Sequence, residues 1–120
     1  MNQSPPSPST GWLWQALTGV GLLALAGLHM AAQHFMVEGG LRDFAAVQEY
    51  LRQPIVIVIE LAFLIVVTAH ALLGVRAVVF DLGLSDSAEK RVTQTLWVVG
   101  ALTVLYGCWL TWSILAFPAA

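Results

Sequence analysis

Residues 54–80 read PIVIVIELAFLIVVTAHALLGVRAVVF, a stretch in which Glu60, His70 and Arg76 are the only ionisable groups. A helix rises about 1.5 Å per residue, so this run measures roughly 40 Å and crosses a hydrocarbon core of about 30 Å with some tilt. Two further runs read the same way. Residues 11–37 and residues 92–117 contain no Asp, Glu, Lys or Arg, and the third run reaches back to about residue 88. Three crossings place the outer ends of the first and third spans on opposite sides of a membrane. The expected fold is therefore an all-α membrane protein with three transmembrane helices.

Composition agrees. Of 120 residues, 58% are hydrophobic and 10% charged, and the mean hydropathy is +0.79, more apolar surface than a soluble domain of this size can hide. A net charge of −2 offers no basic face for nucleic acid, and Cys108, the single cysteine, can form no internal disulfide and fits no metal-ligand spacing. The opening MNQSPPSPST holds three prolines and four Ser/Thr residues and lacks the charged leader and cleavage site of a signal peptide. Residues 1–10 are read as a retained flexible tail, and residues 11–120 as one three-helix transmembrane domain.

The first connection, EGGLRDFAAVQEYLRQP, opens with Gly39 and Gly40 and then sets Leu41, Phe44, Ala45, Val47 and Leu51 at helical intervals among charged neighbours. That pattern predicts a short amphipathic surface helix between the first and second spans, with Pro54 in the first turn of the second. In the second connection, DLGLSDSAEKR, Asp86 with Glu89 three positions on predicts a cap and a third span starting near Ser87. Trp12, Trp14, Tyr50, Trp109 and Trp112 fall near span ends, where aromatic rings favour the headgroup level. Arg76, Lys90 and Arg91 flank the second connection, against Arg42 and Arg52 on the first. The positive-inside rule thus places the second connection, and with it the N-terminus, in the cytoplasm by one charge.

Ionisable groups at membrane depth are costly without a partner or a function. His29 and His70 are candidate haem-iron ligands, since a neutral imidazole on a transmembrane helix can fill an axial position and facing helices can supply two. Spacing alone leaves open the alternative that each merely hydrogen-bonds a neighbouring helix. His29 lies about 27 Å, and His70 about 16 Å, from the cytoplasmic ends of their spans by helix rise, so as ligands they would serve two haems at different levels, with opposite ligands from another chain. His34, about 140° round the helix from His29, faces elsewhere and is read as an interfacial polar residue. Arg76 stands nearly opposite His70 on an ideal helix, and can pair with a haem propionate or a quinone carbonyl or snorkel as a helix-end anchor. Glu60 fits a proton path, a propionate contact or a polar helix contact. Asp81 sits at the helix terminus in solvent. Gly74, one turn after His70, is expected to make room beside a porphyrin. A small transporter or channel subunit, with His70, Glu60 and Arg76 along a polar path, is the competing reading.

The arrangement His70, Gly74, Val75, Arg76 and Asp81 resembles the second transmembrane helix of the small hydrophobic membrane-anchor subunits of succinate dehydrogenase. Gly27-Leu28-His29, Glu38-Gly39-Gly40, Tyr50-Leu51-Arg52-Gln53-Pro54 and Glu60 are similar in layout to the actinobacterial type of anchor, and the likeness covers about residues 11–112. The resemblance implies a complex in which a flavoprotein oxidises succinate, an iron–sulfur protein passes electrons to quinone, and a second three-helix anchor shares one or two haem b groups with this chain. It implies His70 as an axial haem b ligand, His29 as the ligand of a second haem, Arg76 at a haem propionate or the quinone, and Asp81 near a quinone site on the cytoplasmic face. Leu82 stands where the family usually carries tyrosine or phenylalanine, so a phenolic hydrogen bond to quinone cannot come from that position. Of the two anchor paralogues the upstream match favours the second, D, in a prokaryotic plasma membrane. The sequence holds no flavin, nucleotide or cysteine-cluster motif, in keeping with a subunit that has no succinate site of its own.

Overall fold

The computed structural model describes residues 10–35 and 43–117. Four helices follow in order: α1 (Thr10–Phe35), α2 (Phe44–Leu51), α3 (Pro54–Phe80) and α4 (Asp86–Ala116). The three long ones are long and apolar enough to cross a membrane, and the short one lies between the first and second, as the sequence predicts. Helices suit this setting because each satisfies its own backbone polar groups where no water can. The span hydroxyls follow suit. Thr18, Thr103, Thr111 and Ser113 donate to the carbonyl oxygens of Trp14, Val99, Gly107 and Trp109, each one turn earlier, at 2.7 to 3.0 Å.

α3 is the central helix. It packs against α1 and against α4, and among the described residues α1 and α4 do not meet. Small residues set the approach of α4: a Cβ on Gly100 would lie 2.7 Å from Leu72 Cδ1, and one on Gly107 would overlap Leu64 Cδ2. Two helical turns separate these glycines, so they present one face on which the α3 leucines seat.

Local chemistry fixes the ends. Asp43 caps α2 by accepting from the Ala46 N–H at 2.8 Å, and Pro54 opens α3 at a position that needs no N–H donor. After α3 the chain turns through Gly83, whose φ of +72° favours glycine. α4 begins at Asp86, next to the expected Ser87, but its cap is Ser85, not Asp86: Ser85 Oγ accepts from the Ala88 N–H at 3.4 Å, and its carbonyl from Glu89 N–H at 2.9 Å. Asp86 and Glu89 then occupy the first turn, where negative charge suits the helix dipole. α1 likewise starts at Thr10, one residue before the expected Gly11. Glu38, Gly39, Gly40, Leu41 and Arg42, which open the expected surface helix, lie outside the described residues, as do residues 1–9 of the expected tail.

The end of the bundle at α2 is the tightest. Gln48, Tyr50 and Val56 are the buried residues among those described. Gln48 Nε2 donates to the carbonyl oxygens of Ile114 and Phe117, both at 3.0 Å, so a side chain from α2 satisfies carbonyls that the end of α4 leaves without helical partners. Phe44, on the expected apolar face of the surface helix, is exposed. Tyr50 is buried and bonded to Glu60, and so is not the interfacial anchor ring expected from its place near a span end. Trp12, Trp14, Trp109 and Trp112 are all exposed near helix ends, the placement such anchors need.

Candidate functional site

α1 and α3 run antiparallel, and their register decides which polar groups meet. At the level of Thr18 and Gly19 the α1 backbone passes close over the His70 ring. Thr18 Oγ1 lies 3.2 Å from His70 Nδ1, and a Cβ on Gly19 would come within 3.2 Å of His70 Cε1. One turn along, Gly74 faces Gln15, whose Nε2 would stand 3.3 Å from a Cβ there. Gly74 therefore makes room for the Gln15 amide.

The Thr18 contact engages Nδ1 of the imidazole. The hydroxyl has one hydrogen, and Trp14 O at 2.7 Å is its nearest acceptor, ahead of Gln15 O at 3.1 Å. Thr18 Oγ1 is thus left to accept from Nδ1–H, and His70 keeps its lone pair on Nε2. Among the described residues Nε2 has no hydrogen-bond partner. The ring borders an apolar groove of about 440 Å³ along α3, in which Ala71, Gly74, Val75 and Val78 continue the strip. Gln15 forms its polar edge, with Oε1 buried and without a hydrogen-bond partner among the described residues.

A second cluster lies toward α2. His29 Nδ1 meets both oxygens of Glu60, at 2.9 and 2.8 Å, and Tyr50 OH donates to Glu60 Oε1 at 2.9 Å. The His29 ring stacks on Phe63 with centroids 5.2 Å apart and planes inclined by 21°. Glu60 is therefore a polar helix contact, one of the three roles open to it from sequence. The two histidines engage the α1/α3 seam seven to ten residues apart along α3, a separation of roughly 10–15 Å by helix rise, so they occupy different levels as expected.

The remaining sequence candidates separate from the histidines. Arg76 turns to α4, donating from Nε to Thr93 Oγ1 at 3.3 Å with its guanidinium 4.1 Å above the Phe80 ring. It borders a cleft of about 780 Å³ that runs over α3 between α1 and α4. Asp81 is the C-cap residue of α3 and exposed, and His34 is exposed with its ring edge-on to Phe35. Sequence reasoning missed Tyr50, Thr18, Gln15 and Phe63 as site residues. A usable signal existed: in an antiparallel hairpin, residues equally far from its midpoint meet. His29 and Glu60 straddle a midpoint near residue 44 or 45, and so do Thr18 and His70, and Gln15 and Gly74.

Fold and site define a class: a three-helix integral membrane protein with two histidines at different depths, each held through Nδ1 by the neighbouring span. A profile of the succinate dehydrogenase/fumarate reductase transmembrane subunits matches residues 2–109, and the chain belongs to that family. It is similar to the succinate dehydrogenase hydrophobic membrane anchor subunit of Thermoplasma acidophilum, with 29% identity over 93 residues covering 78% of this chain and 76% of that one. It is likewise similar to the protein of the same description from Archaeoglobus fulgidus, with 29% identity over 103 residues covering 86% and 87%. The chain is thus a multi-pass membrane-anchor subunit of the succinate dehydrogenase/fumarate reductase type.

Proposed function

We propose that the chain is a haem b-binding anchor of a succinate:quinone oxidoreductase, with His70 as an axial ligand of one haem and His29 of a second. The observation that supports this best is the contact of His70 Nδ1 with Thr18, whose hydroxyl is turned to Trp14 O: with Nδ1 so engaged, Nε2 is the nitrogen left for iron on the border of an apolar groove. His29 has the same polarity, with Nδ1 on a carboxylate. Bound haem supplies reversible one-electron relay. The chain's own residues hold and orient that group and keep water from it: Thr18 fixes the His70 ring, Gly19 admits α1 beside it, and Ala71, Gly74, Val75 and Val78 keep the adjoining strip low and apolar. Because the two histidines stand at different levels, they would hold separate haems, and the second three-helix anchor would supply the remaining ligand to each.

Arg76 serves a quinone carbonyl or a haem propionate at the rim of its cleft, and Asp81 marks the quinone side at the cytoplasmic end of α3. The flavoprotein and iron–sulfur subunits dock at that end, and this chain is the D-type anchor in a prokaryotic plasma membrane with the N-terminal end of α1 in the cytoplasm. A polar transport path along His70, Glu60 and Arg76 is disfavoured, because His70 contacts α1, Arg76 contacts α4, and Glu60 is engaged by His29 and Tyr50.

The test is the reduced-minus-oxidised spectrum of the purified complex. His70→Ala is expected to remove the share of b-type absorbance that belongs to the haem at His70, from particles that retain all subunits and keep the haem at His29. A wild-type spectrum in that variant, or a wild-type particle without b-type bands, overturns the assignment.

A further inference from the structure

We infer that Tyr50 and Glu60 are positioning residues for His29, forming a hydrogen-bonded chain that fixes the tautomer and plane of this ring and strengthens Nε2 as a donor to haem iron. This rests on the reading of His29 as an axial ligand. Three elements converge on one imidazole. From α3, both Glu60 oxygens lie within 2.9 Å of Nδ1. From α2, Tyr50 OH occupies a lone pair of Oε1. Phe63, one turn beyond Glu60, stacks on the ring face. A carboxylate in this position accepts Nδ1–H, which leaves the lone pair on Nε2 and withdraws the ring's freedom to turn.

The Tyr50 hydroxyl makes the arrangement more than a tie between two spans. Tyr50 is 6% exposed, and its hydrogen bond holds the carboxylate at a fixed orientation, so Glu60 cannot rotate away from Nδ1 without breaking a second bond. A tie between α1 and α3 would be satisfied by any hydrogen-bonding pair. A carboxyl group that meets Nδ1 with both oxygens and is braced from behind by Tyr50 has the form of the carboxylate–histidine–metal arrangement, in which the outer acid raises the basicity of the ligand. A more basic ligand favours the ferric over the ferrous state and lowers the midpoint potential of the group it holds.

The experiment uses the complete complex, with haem-to-flavin ratio, a redox titration of the b-type bands and the low-spin ferric EPR spectrum as readouts. Glu60→Gln keeps a hydrogen-bonding group but removes the charge. Its complex is expected either to retain the His29-bound haem at a raised midpoint potential, or to lose that haem with subunits intact, because an amide that turns its NH2 to Nδ1 reverses the tautomer. Tyr50→Phe keeps the carboxylate and is expected to give a smaller upward shift, and it decides the matter if Glu60→Gln fails to assemble. Unchanged potential and g-values with haem retained overturn the inference. His29→Ala separates the two levels of reasoning. Loss of one haem with unshifted Glu60→Gln and Tyr50→Phe variants sinks the positioning role alone, whereas full haem content in His29→Ala sinks the ligand assignment itself.

Discussion

Replacing Gly19 by valine drives α1 into the His70 ring. A Cβ at this position would lie 3.2 Å from Cε1 and 3.6 Å from Nδ1, while carbon atoms rest comfortably at about 3.5–4.0 Å. Alanine is therefore a few tenths of an ångström too close. Valine adds two methyl groups about 1.5 Å further out, so the ring or the helix must move by about 1 Å. The Thr18 to Nδ1 contact, at 3.2 Å, is already at the long end for a hydrogen bond and does not survive such a shift. Overpacking costs about 1–3 kcal/mol, and losing an orienting partner of a metal ligand weakens binding by about 10–100-fold. The assay is haem per flavin in purified complex, read from the b-type bands. With His70 as the proposed ligand, Gly19→Val is expected to lose most of the haem assigned to it, Gly19→Ala a minor part, and Gly27→Ala none, since a Cβ at Gly27 meets nothing within 4 Å. Wild-type band amplitude in a fully assembled Gly19→Val complex would refute the placement of α1 over the imidazole.

Other perturbations probe other parts of the molecule. Gly107→Leu removes the seat of Leu64 and is expected to lower the unfolding temperature in detergent, with Leu64→Ala restoring part of the loss in the double variant because the two side chains share one space. Gln48→Leu leaves the carbonyls of Ile114 and Phe117 without this donor; a cost of about 1–3 kcal/mol is expected to appear as faster amide exchange in the last turn of α4. Gly83→Ala forces a side chain into a φ of +72° and is expected to cost about 1–2 kcal/mol, read as a lower midpoint of thermal unfolding. Arg76→Lys keeps the charge but loses the planar group that bonds Thr93 and lies over Phe80. The expected result is a raised KM for quinone with unchanged succinate oxidation by a soluble acceptor.

The spans were legible because apolar runs of this length have one stable use, and α2 because Phe44, Val47 and Leu51 keep a helical interval. Which face each helix turns inward was not legible. In lipid the hydrophobic pattern no longer separates inside from outside, and Tyr50, read from its place near a span end as an interfacial ring, is instead buried and bonded to Glu60. The cap at Ser85 was missed by one residue because Asp86 and Ser85 both carry capping groups, and only the backbone direction chooses between them. His70 and Arg76 were placed on opposite sides of α3 by helical angle alone, and the structure agrees, with one facing α1 and the other α4. The Glu60 role stayed open until the pairing of α1 with α3 was known, since pairing across a hairpin depends on its midpoint and not on composition.

Among the described residues, closed interior exists at one end only, where Gln48, Tyr50 and Val56 are shut away. Farther along, the outer helices α1 and α4 each rest on α3 but, among those residues, not on one another, so a newly made copy leaves the space between them to be filled by something else. Unassembled surplus, having so little inside to defend it, is open to membrane proteases, and the ratio of anchors to their soluble partners can be kept by removal of the excess as well as by matched synthesis.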